Sequence, residues 1–417
     1  MNHFTYKNNE LYAEEVAVKE IVAKVGTPLY IYSHATLERH FKSMDDAFSS
    51  VPHTICYSMK ANSNLAVLKT FANLGGGVDI VSGGELYRAL QAAVDPRKIV
   101  YSGVGKKDDE IEFALKTGIL MFNVESEEEL DRLNEIAGRL RCKAGIAIRV
   151  NPDVDPETHP YITTGLKKAK FGINIERSLE QYKRAAGMAN LEVIGIDCHI
   201  GSQLTKISPF VDAIKKLKRL VVSLAEAGIR LNYFDLGGGL GITYDEEAPP
   251  LPAEYGAAIV AETRDMGLHL LFEPGRNLVG NAGIMVGKCL YTKKGDEKNF
   301  VIVDAAMNDL ARPSLYGSYH GIQAVRKDHE GSIVADIVGP ICESGDFLAK
   351  DREMPRFRQG DLIAFMSAGA YGFAMSSNYN SRPRAAEVMV KGDTFAVVRE
   401  RELLADLVKG ETLPAFL

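Results

Sequence analysis

Lys60 stands in Tyr57-Ser58-Met59-Lys60-Ala61-Asn62, at the end of the apolar run Thr54 to Met59. An amine held at a strand terminus is placed for nucleophilic chemistry rather than for solvation. Three more clusters follow: Cys198-His199-Ile200-Gly201-Ser202-Gln203, Gly237-Gly238-Gly239-Leu240-Gly241 and Glu273-Pro274-Gly275-Arg276. They supply a flat imidazole, a glycine-rich anion cradle and a Glu/Arg pair. With the lysine, these are the parts that hold a phosphorylated pyridine aldehyde: an amine, a ring to stack, a phosphate site and a carboxylate for the ring nitrogen. The cofactor with that chemistry is pyridoxal 5'-phosphate.

Each cluster alone has a plainer account: a solvated surface lysine, a core histidine, a flexible triple-glycine turn, a strand-end ion pair. Their order along one chain is what argues for an enzyme. Asp79, in Val78-Asp79-Ile80-Val81, fits equally a partner for the Lys60 amine or a buried carboxylate capping a helix. Gly201 and Ser202 suit a backbone passing close to a ligand, with Ser202 able to donate to phosphate. Successive N–H groups at Gly237, Gly238 and Gly239 can converge on an anion. Glu273 opposite a pyridine nitrogen would keep it protonated, and Gly275 and Arg276 can finish the phosphate or substrate site.

A second set lies further on. Arg312-Pro313-Ser314-Leu315-Tyr316 offers a guanidinium and a phenol one turn apart, suited to a carboxylate. Cys342-Glu343-Ser344-Gly345-Asp346 puts a thiol beside a carboxylate, and Tyr371 lies in Gly369-Ala370-Tyr371-Gly372-Phe373. Singly, each of these reads as ordinary surface or packing chemistry.

The elements that must position these groups come from hydrophobic periodicity. Strands are predicted at Thr54–Met59, Val78–Val81, Lys98–Ser102, Ile119–Val124, Ala144–Val150, Val193–Ile200, Tyr233–Leu236 and Leu268–Glu273. Helical patterns intervene at Asn64–Leu74, Gly84–Ala93, Lys107–Lys116, Ser126–Leu140 and Pro209–Ala227, with Ser126-Glu127-Glu128-Glu129 resembling a capping box. This alternation over roughly 240 residues fits a (β/α)8 barrel of typical size better than a doubly wound sheet. Lys60, His199, Gly237–Gly239 and Glu273–Arg276 follow the first, sixth, seventh and eighth of these strands, on the face where such barrels carry their chemistry.

Beyond about residue 280 the texture becomes mostly β, with strands predicted at Ile284–Tyr291, Asn299–Asp304, Ser332–Gly339, Asp361–Met366, Ala385–Val390 and Thr394–Val398. The expected organisation is an α/β barrel over residues 34–280 and a β domain of residues 281–417 that also takes in residues 1–33, where Leu29–Tyr32 is strand-like.

Composition bounds the function. At 417 residues, 46% hydrophobic and 25% charged, the chain has ample core for a large and a smaller domain. A net charge of −6 argues against a nucleic-acid surface. The 5 cysteines are widely spaced and form no C-x-x-C pair that would suggest zinc, so no metal is expected. The stretch Met1 to Glu10 is polar, and no apolar run nears the ~18–20 residues that span a bilayer. Reduced thiols and this polarity point to the cytoplasm.

These motifs, in this order, resemble the diaminopimelate decarboxylase family of the alanine-racemase-like (fold type III) pyridoxal phosphate enzymes. The resemblance runs from Gly26-Thr27-Pro28-Leu29-Tyr30 to Ser377-Asn378-Tyr379-Asn380-Ser381-Arg382-Pro383-Arg384. Specific to it are Arg149-Val150-Asn151-Pro152, His159-Pro160-Tyr161-Ile162 and Cys342-Glu343-Ser344; ornithine-type relatives carry Cys-Asp at the last position. The resemblance implies decarboxylation of meso-2,6-diaminopimelate to L-lysine by a head-to-tail homodimer with active sites at the interface. Lys60 would hold the cofactor, His199 stack on it, and Ser202, Gly239 and Glu273–Arg276 bind its phosphate and ring nitrogen. Tyr371 would touch cofactor and substrate. Arg276, Arg312 and Tyr316 would bind the distal carboxylate. Cys342 would arrive from the partner as proton donor, with Glu343 as ligand for the distal ammonium.

Rival readings are an ornithine, arginine or carboxynorspermidine decarboxylase, an amino-acid racemase, or an inactive homologue. Arg312 with Glu343 argues against the diamine producers, which have no distal carboxylate to bind. A racemase needs a second base on the opposite face, and intact Lys60 and Cys342 count against an inactive chain.

Overall fold

The computed structural model describes residues 2–154 and 170–417. The motif His159-Pro160-Tyr161-Ile162 lies outside the described residues. The chain forms two compact units, one of Glu38–Thr243 with Glu247–Leu278, the other of Met1–Leu37, Tyr244–Glu246 and Val279–Leu417.

The first unit is a closed barrel of eight parallel strands: β1 His53–Ser58, β2 Gly77–Ile80, β3 Ile99–Tyr101, β4 Met121–Val124, β5 Ala144–Asn151, β6 Leu191–Asp197, β7 Tyr233–Asp235 and β8 His269–Phe272. Each pairs with the next, and β8 returns to β1 through Leu270 opposite His53. Because both faces of each strand are covered, the strands read as short continuous apolar runs. The interior is filled, with Cys56, Val100, Met121, Ala147 and Leu271 forming one buried cluster. Polar side chains toward the strand C-termini, among them Asp79, Asn123, Asp235 and Glu273, build the site.

Three of the outer helices start on side-chain caps from Asn64, Ser82 and Ser126. Asn64 accepts from the Ala66 N–H before Leu65–Asn73, and Ser82 from the Glu85 N–H before Gly83–Gln91. Before Glu127–Leu140, Ser126 Oγ accepts from the Glu129 N–H at 3.2 Å, but the Glu129 carboxylate does not return to Ser126. It takes the Glu125 N–H at 3.0 Å and Lys106 Nζ at 2.7 Å instead, so only half of the expected box forms.

The second unit is mostly β. Leu29–Ser33 lies between Gly283–Lys294, antiparallel to it, and Ala386–Lys391, parallel to it. The N-terminal segment is thus an internal strand of the C-terminal sheet. A core of Leu29, Ile31, Ile284, Val286, Val388 and Val390 closes around it. Elements not expected from sequence include the strand Phe347–Pro355 against Ser332–Val338, and the N-terminal hairpin of Phe4–Lys7 with Glu10–Ala13.

Candidate active site

Lys60 follows β1 in a single 3-10 turn, Met59–Ala61. Asp79 is carried by the neighbouring strand, where its Cα faces that of Ser58. Its Oδ2 accepts from Ser58 Oγ at 2.7 Å and from Lys60 Nζ at 3.1 Å. The carboxylate is fully buried, whereas the Lys60 side chain keeps 40% of its exposure. A buried, hydrogen-bonded anion therefore aims an amine that solutes can reach. Of the two readings open for Asp79, the amine partner is the one seen; the helix cap is Ser82.

The loops after β6, β7 and β8 are knitted together. His199 Nδ1 lies 3.2 Å from the Gly238 N–H and accepts from it, which leaves the ring proton on Nε2. Burial, then Arg149 and Lys60, hold this imidazole well below the ordinary histidine range, so it is neutral. Gly237 and Gly239 have φ of 63° and 115°, the region that favours glycine. At Gly238 the constraint is space: a Cβ would sit 2.2 Å from the Glu273 carbonyl oxygen. Arg276 Nη2 donates to Ser202 Oγ at 3.3 Å, and Gly275 passes against Ser58 and Ala61.

Beneath these groups lies a buried polar layer. Asn123 on β4 donates from Nδ2 to Ser102 Oγ at 3.1 Å, Asp235 Oδ2 at 3.2 Å and Glu273 Oε1 at 3.2 Å. Carboxylate oxygens of Asp197, Asp235 and Glu273 all lie within 4.8 Å of one another. Burial first, and Asp235 next, push the Glu273 carboxyl well up. Burial and then Asp197 raise Asp235 to about 7. Asp197 is raised too, by burial and then by Glu273. Burial and mutual repulsion favour the protonated form of such a cluster, and a cationic ring edge brought against it would favour the ionised form. Beside it Arg149 Nη1 pairs with Glu125 Oε1 at 2.8 Å, both buried.

In the β unit, Arg312 opens the short helix Arg312–Tyr316 and is buried, with Tyr316 half-buried. Its Nη1 lies 3.0 Å from His320 Nε2, and its guanidinium sits 4.6 Å over the Tyr244 ring. Cys342 and Glu343 are exposed; Cys342 N–H donates to Asn380 Oδ1 at 2.9 Å. Tyr371 has φ of 56°, uncommon for a tyrosine.

The barrel thus gathers Lys60, Asp79, His199, Ser202, Gly238, Gly239, Glu273, Gly275 and Arg276 at the C-terminal ends of its strands, while Arg312, Tyr316, Cys342, Glu343 and Tyr371 belong to the β unit. Sequence reading missed Ser102, Asn123 and Asp235, and also His320 and Tyr244. A lone polar residue inside an otherwise apolar strand end is the signal that marks Asn123 and Asp235.

Residues 34–280 match the family described as pyridoxal-dependent decarboxylase, pyridoxal binding domain. The chain is 52% identical to a diaminopimelate decarboxylase of Pseudomonas aeruginosa over 99% of both chains. Among solved structures it resembles diaminopimelate decarboxylase from Helicobacter pylori complexed with L-lysine, at 43% identity and TM-score 0.91, covering 94% of this chain and 98% of that one. The M. jannaschii enzyme in co-complex with L-lysine matches at 38% identity and TM-score 0.95 over 100% of both. The chain belongs to the diaminopimelate decarboxylase family of pyridoxal-dependent decarboxylases.

Proposed function

We propose that this chain, with pyridoxal 5'-phosphate as cofactor, removes CO2 from meso-2,6-diaminopimelate and yields L-lysine, the last step of lysine biosynthesis by the diaminopimelate route. The observation that carries the reading is the Lys60–Asp79 pair at 3.1 Å, set on the strand ends that also carry the glycine cradle and buried Glu273. These groups suit the cofactor: an amine for its aldehyde, a backbone at Gly237–Gly239 whose space a Cβ would fill, and buried carboxyls for its ring nitrogen.

The cofactor, when bound, would supply an electron sink for the pair left on Cα as CO2 departs. Lys60 Nζ would hold the cofactor at its aldehyde, with Asp79 orienting that amine. His199 would offer its neutral, flat face to the ring. Ser202, Gly238, Gly239, Gly275 and Arg276 would hold the phosphate, and Glu273 would keep a proton on the ring nitrogen. Tyr371 contacts cofactor and substrate. Cys342 Sγ returns one proton to Cα in place of the lost CO2, a role open to a thiol because ordinary thiols are protonated at neutral pH. Arg276, Arg312 and Tyr316 take the distal carboxylate and Glu343 the distal ammonium. The two ends of the substrate differ only in chirality, so reading the far end selects which carboxylate is lost.

In this account the enzyme is a homodimer in which Cys342 and Glu343 of each protomer serve its partner's site. Residues 34–280 are the cofactor domain, and residues 1–33 with 281–417 the β domain. Among the described residues no helix is long and apolar enough to cross a membrane, and the cysteines are free, which supports a cytoplasmic placement. A CO2-release assay with meso-diaminopimelate, ornithine, arginine and lysine side by side tests the reading. Release from diaminopimelate alone, matched by L-lysine formation, is expected; turnover of ornithine or arginine in its place would overturn it.

A further inference from the structure

Arg312 is held on an edge and on a face. Its Nη1 lies 3.0 Å from His320 Nε2, and His320 Nδ1 lies 2.8 Å from the Met366 carbonyl oxygen. A carbonyl only accepts, so Nδ1 carries the proton; a guanidinium only donates, so Nε2 offers a lone pair. One neutral tautomer of His320 meets both demands. An imidazolium would turn an N–H toward the cation. His320 is fully buried, and Arg352 Nη1 donates to its carbonyl at 3.3 Å.

The face is covered by Tyr244, whose ring lies 4.6 Å from the Arg312 guanidinium carbon and edge-on to His320 at 5.6 Å and 79°. Tyr244–Glu246 is a short segment that groups with the β unit although its chain neighbours belong to the barrel. It begins five residues beyond Gly239 of the glycine cradle. An edge hydrogen bond and a stacked ring together set both the direction and the plane of a guanidinium, and forked binding of a carboxylate demands that plane.

We propose that His320 and Tyr244 are positioning residues that fix the plane of Arg312, and thereby the preference for substrates bearing a carboxylate at the far end. The inference rests on the reading of Arg312 as the partner of that carboxylate. The competing account makes His320 a core histidine that serves only packing.

The test uses holoenzyme variants His320→Leu, His320→Gln, Tyr244→Leu, Arg312→Ala and the double variant His320→Leu/Arg312→Ala. Steady-state kinetics with meso-diaminopimelate are paired with calorimetric binding of L-lysine, which retains the carboxylate that is not lost. His320→Leu should raise both KM and the lysine Kd roughly tenfold, the scale of one hydrogen bond to a charged group, with kcat changed by less than about threefold. His320→Gln, whose Oε1 can accept from Arg312, should recover most of the loss. In the Arg312→Ala background His320→Leu should add nothing further. Full additivity, or a fall in kcat at unchanged KM, would make His320 a packing residue and overturn the proposal. If Arg312→Ala itself leaves KM and lysine binding unchanged, the reading of Arg312 fails and the proposal fails with it. Should His320→Leu not fold, Tyr244→Leu takes its place in the same cycle with the same two outcomes.

Discussion

The two units handle their candidate groups in opposite ways. In the barrel each is tied to a neighbour: Lys60 to Asp79, His199 to the Gly238 N–H, Arg276 to Ser202, Glu273 to Asn123. In the β unit Arg312 is buried and braced, but Cys342 and Glu343 stand on the surface. A cofactor is the same at every turnover, and a rigid, buried floor suits it because orientation is set before binding. An acid and a proton donor left exposed on one chain fit groups that complete a site on another. The contrast therefore bears on which residues act within a protomer and which act across an interface.

The largest effect expected is at the barrel end of that comparison. Lys60→Ala should abolish turnover, because it removes the amine that Asp79 holds for the aldehyde. Borohydride reduction of wild-type enzyme followed by peptide mapping should place the cofactor on Lys60; trapping on another lysine would reassign the site. Next comes Arg312→Ala, which removes a desolvated charge partner and should cost on the order of 2–4 kcal/mol in kcat/KM, mainly through KM. An unchanged kcat/KM would take Arg312 out of the substrate site.

The carboxyl layer predicts a pH effect on stability. Asp235 in the folded chain titrates near 7, above the ordinary value of 3.8, so folding retains a proton that the unfolded chain gives up. The stabilisation from that retained proton is full below about pH 4 and is lost as pH rises through about 7. Between these limits the apoprotein should lose up to about 4 kcal/mol relative to Asp235→Asn, which has no proton to release. Parallel melting curves of the two apoproteins from pH 4 to 7 would check it. A constant offset across that range would show that Asp235 ionises normally. The smallest effect belongs to Gly238→Ala. The added Cβ meets the Glu273 carbonyl, and a shift of the loop should cost about 1–3 kcal/mol of stability and weaken cofactor binding. Unaltered melting and cofactor affinity would show that the cradle has slack.

The barrel was legible in sequence because its strands are buried on both faces and read as short apolar runs between amphipathic helices. The helix Ile175–Ala186 was not, and its buried face explains why. That face is Ser178, Gln181, Tyr182 and Ala185, so its period is carried by a charged outer side rather than by the large aliphatic residues that mark a core-facing helix. Phe347–Pro355 was missed for a related reason: Lys350, Asp351, Arg352 and Glu353 interrupt the alternation that marks a strand. Motif residues at loop entrances, such as Lys60 and Gly237–Gly239, announced themselves. Asn123 and Asp235 were fainter: each is one polar residue in an apolar strand, a mark whose meaning emerges when Asn123 donates to both Asp235 and Glu273. His320 lacked any local signal, because its significance is a contact with Arg312 eight positions earlier.

The central claim is that Lys60 of one protomer works with Cys342 of its partner. Lys60→Ala and Cys342→Ala proteins should each be nearly inactive alone. Mixed in equal amounts and allowed to exchange subunits, half of the dimers become hybrids, each with one site carrying both native residues. CO2 release should then return to about a quarter of the wild-type rate, by counting over symmetric dimers. If native mass spectrometry confirms exchange and no activity returns, Lys60 and Cys342 belong to one protomer and the shared-site account is contradicted.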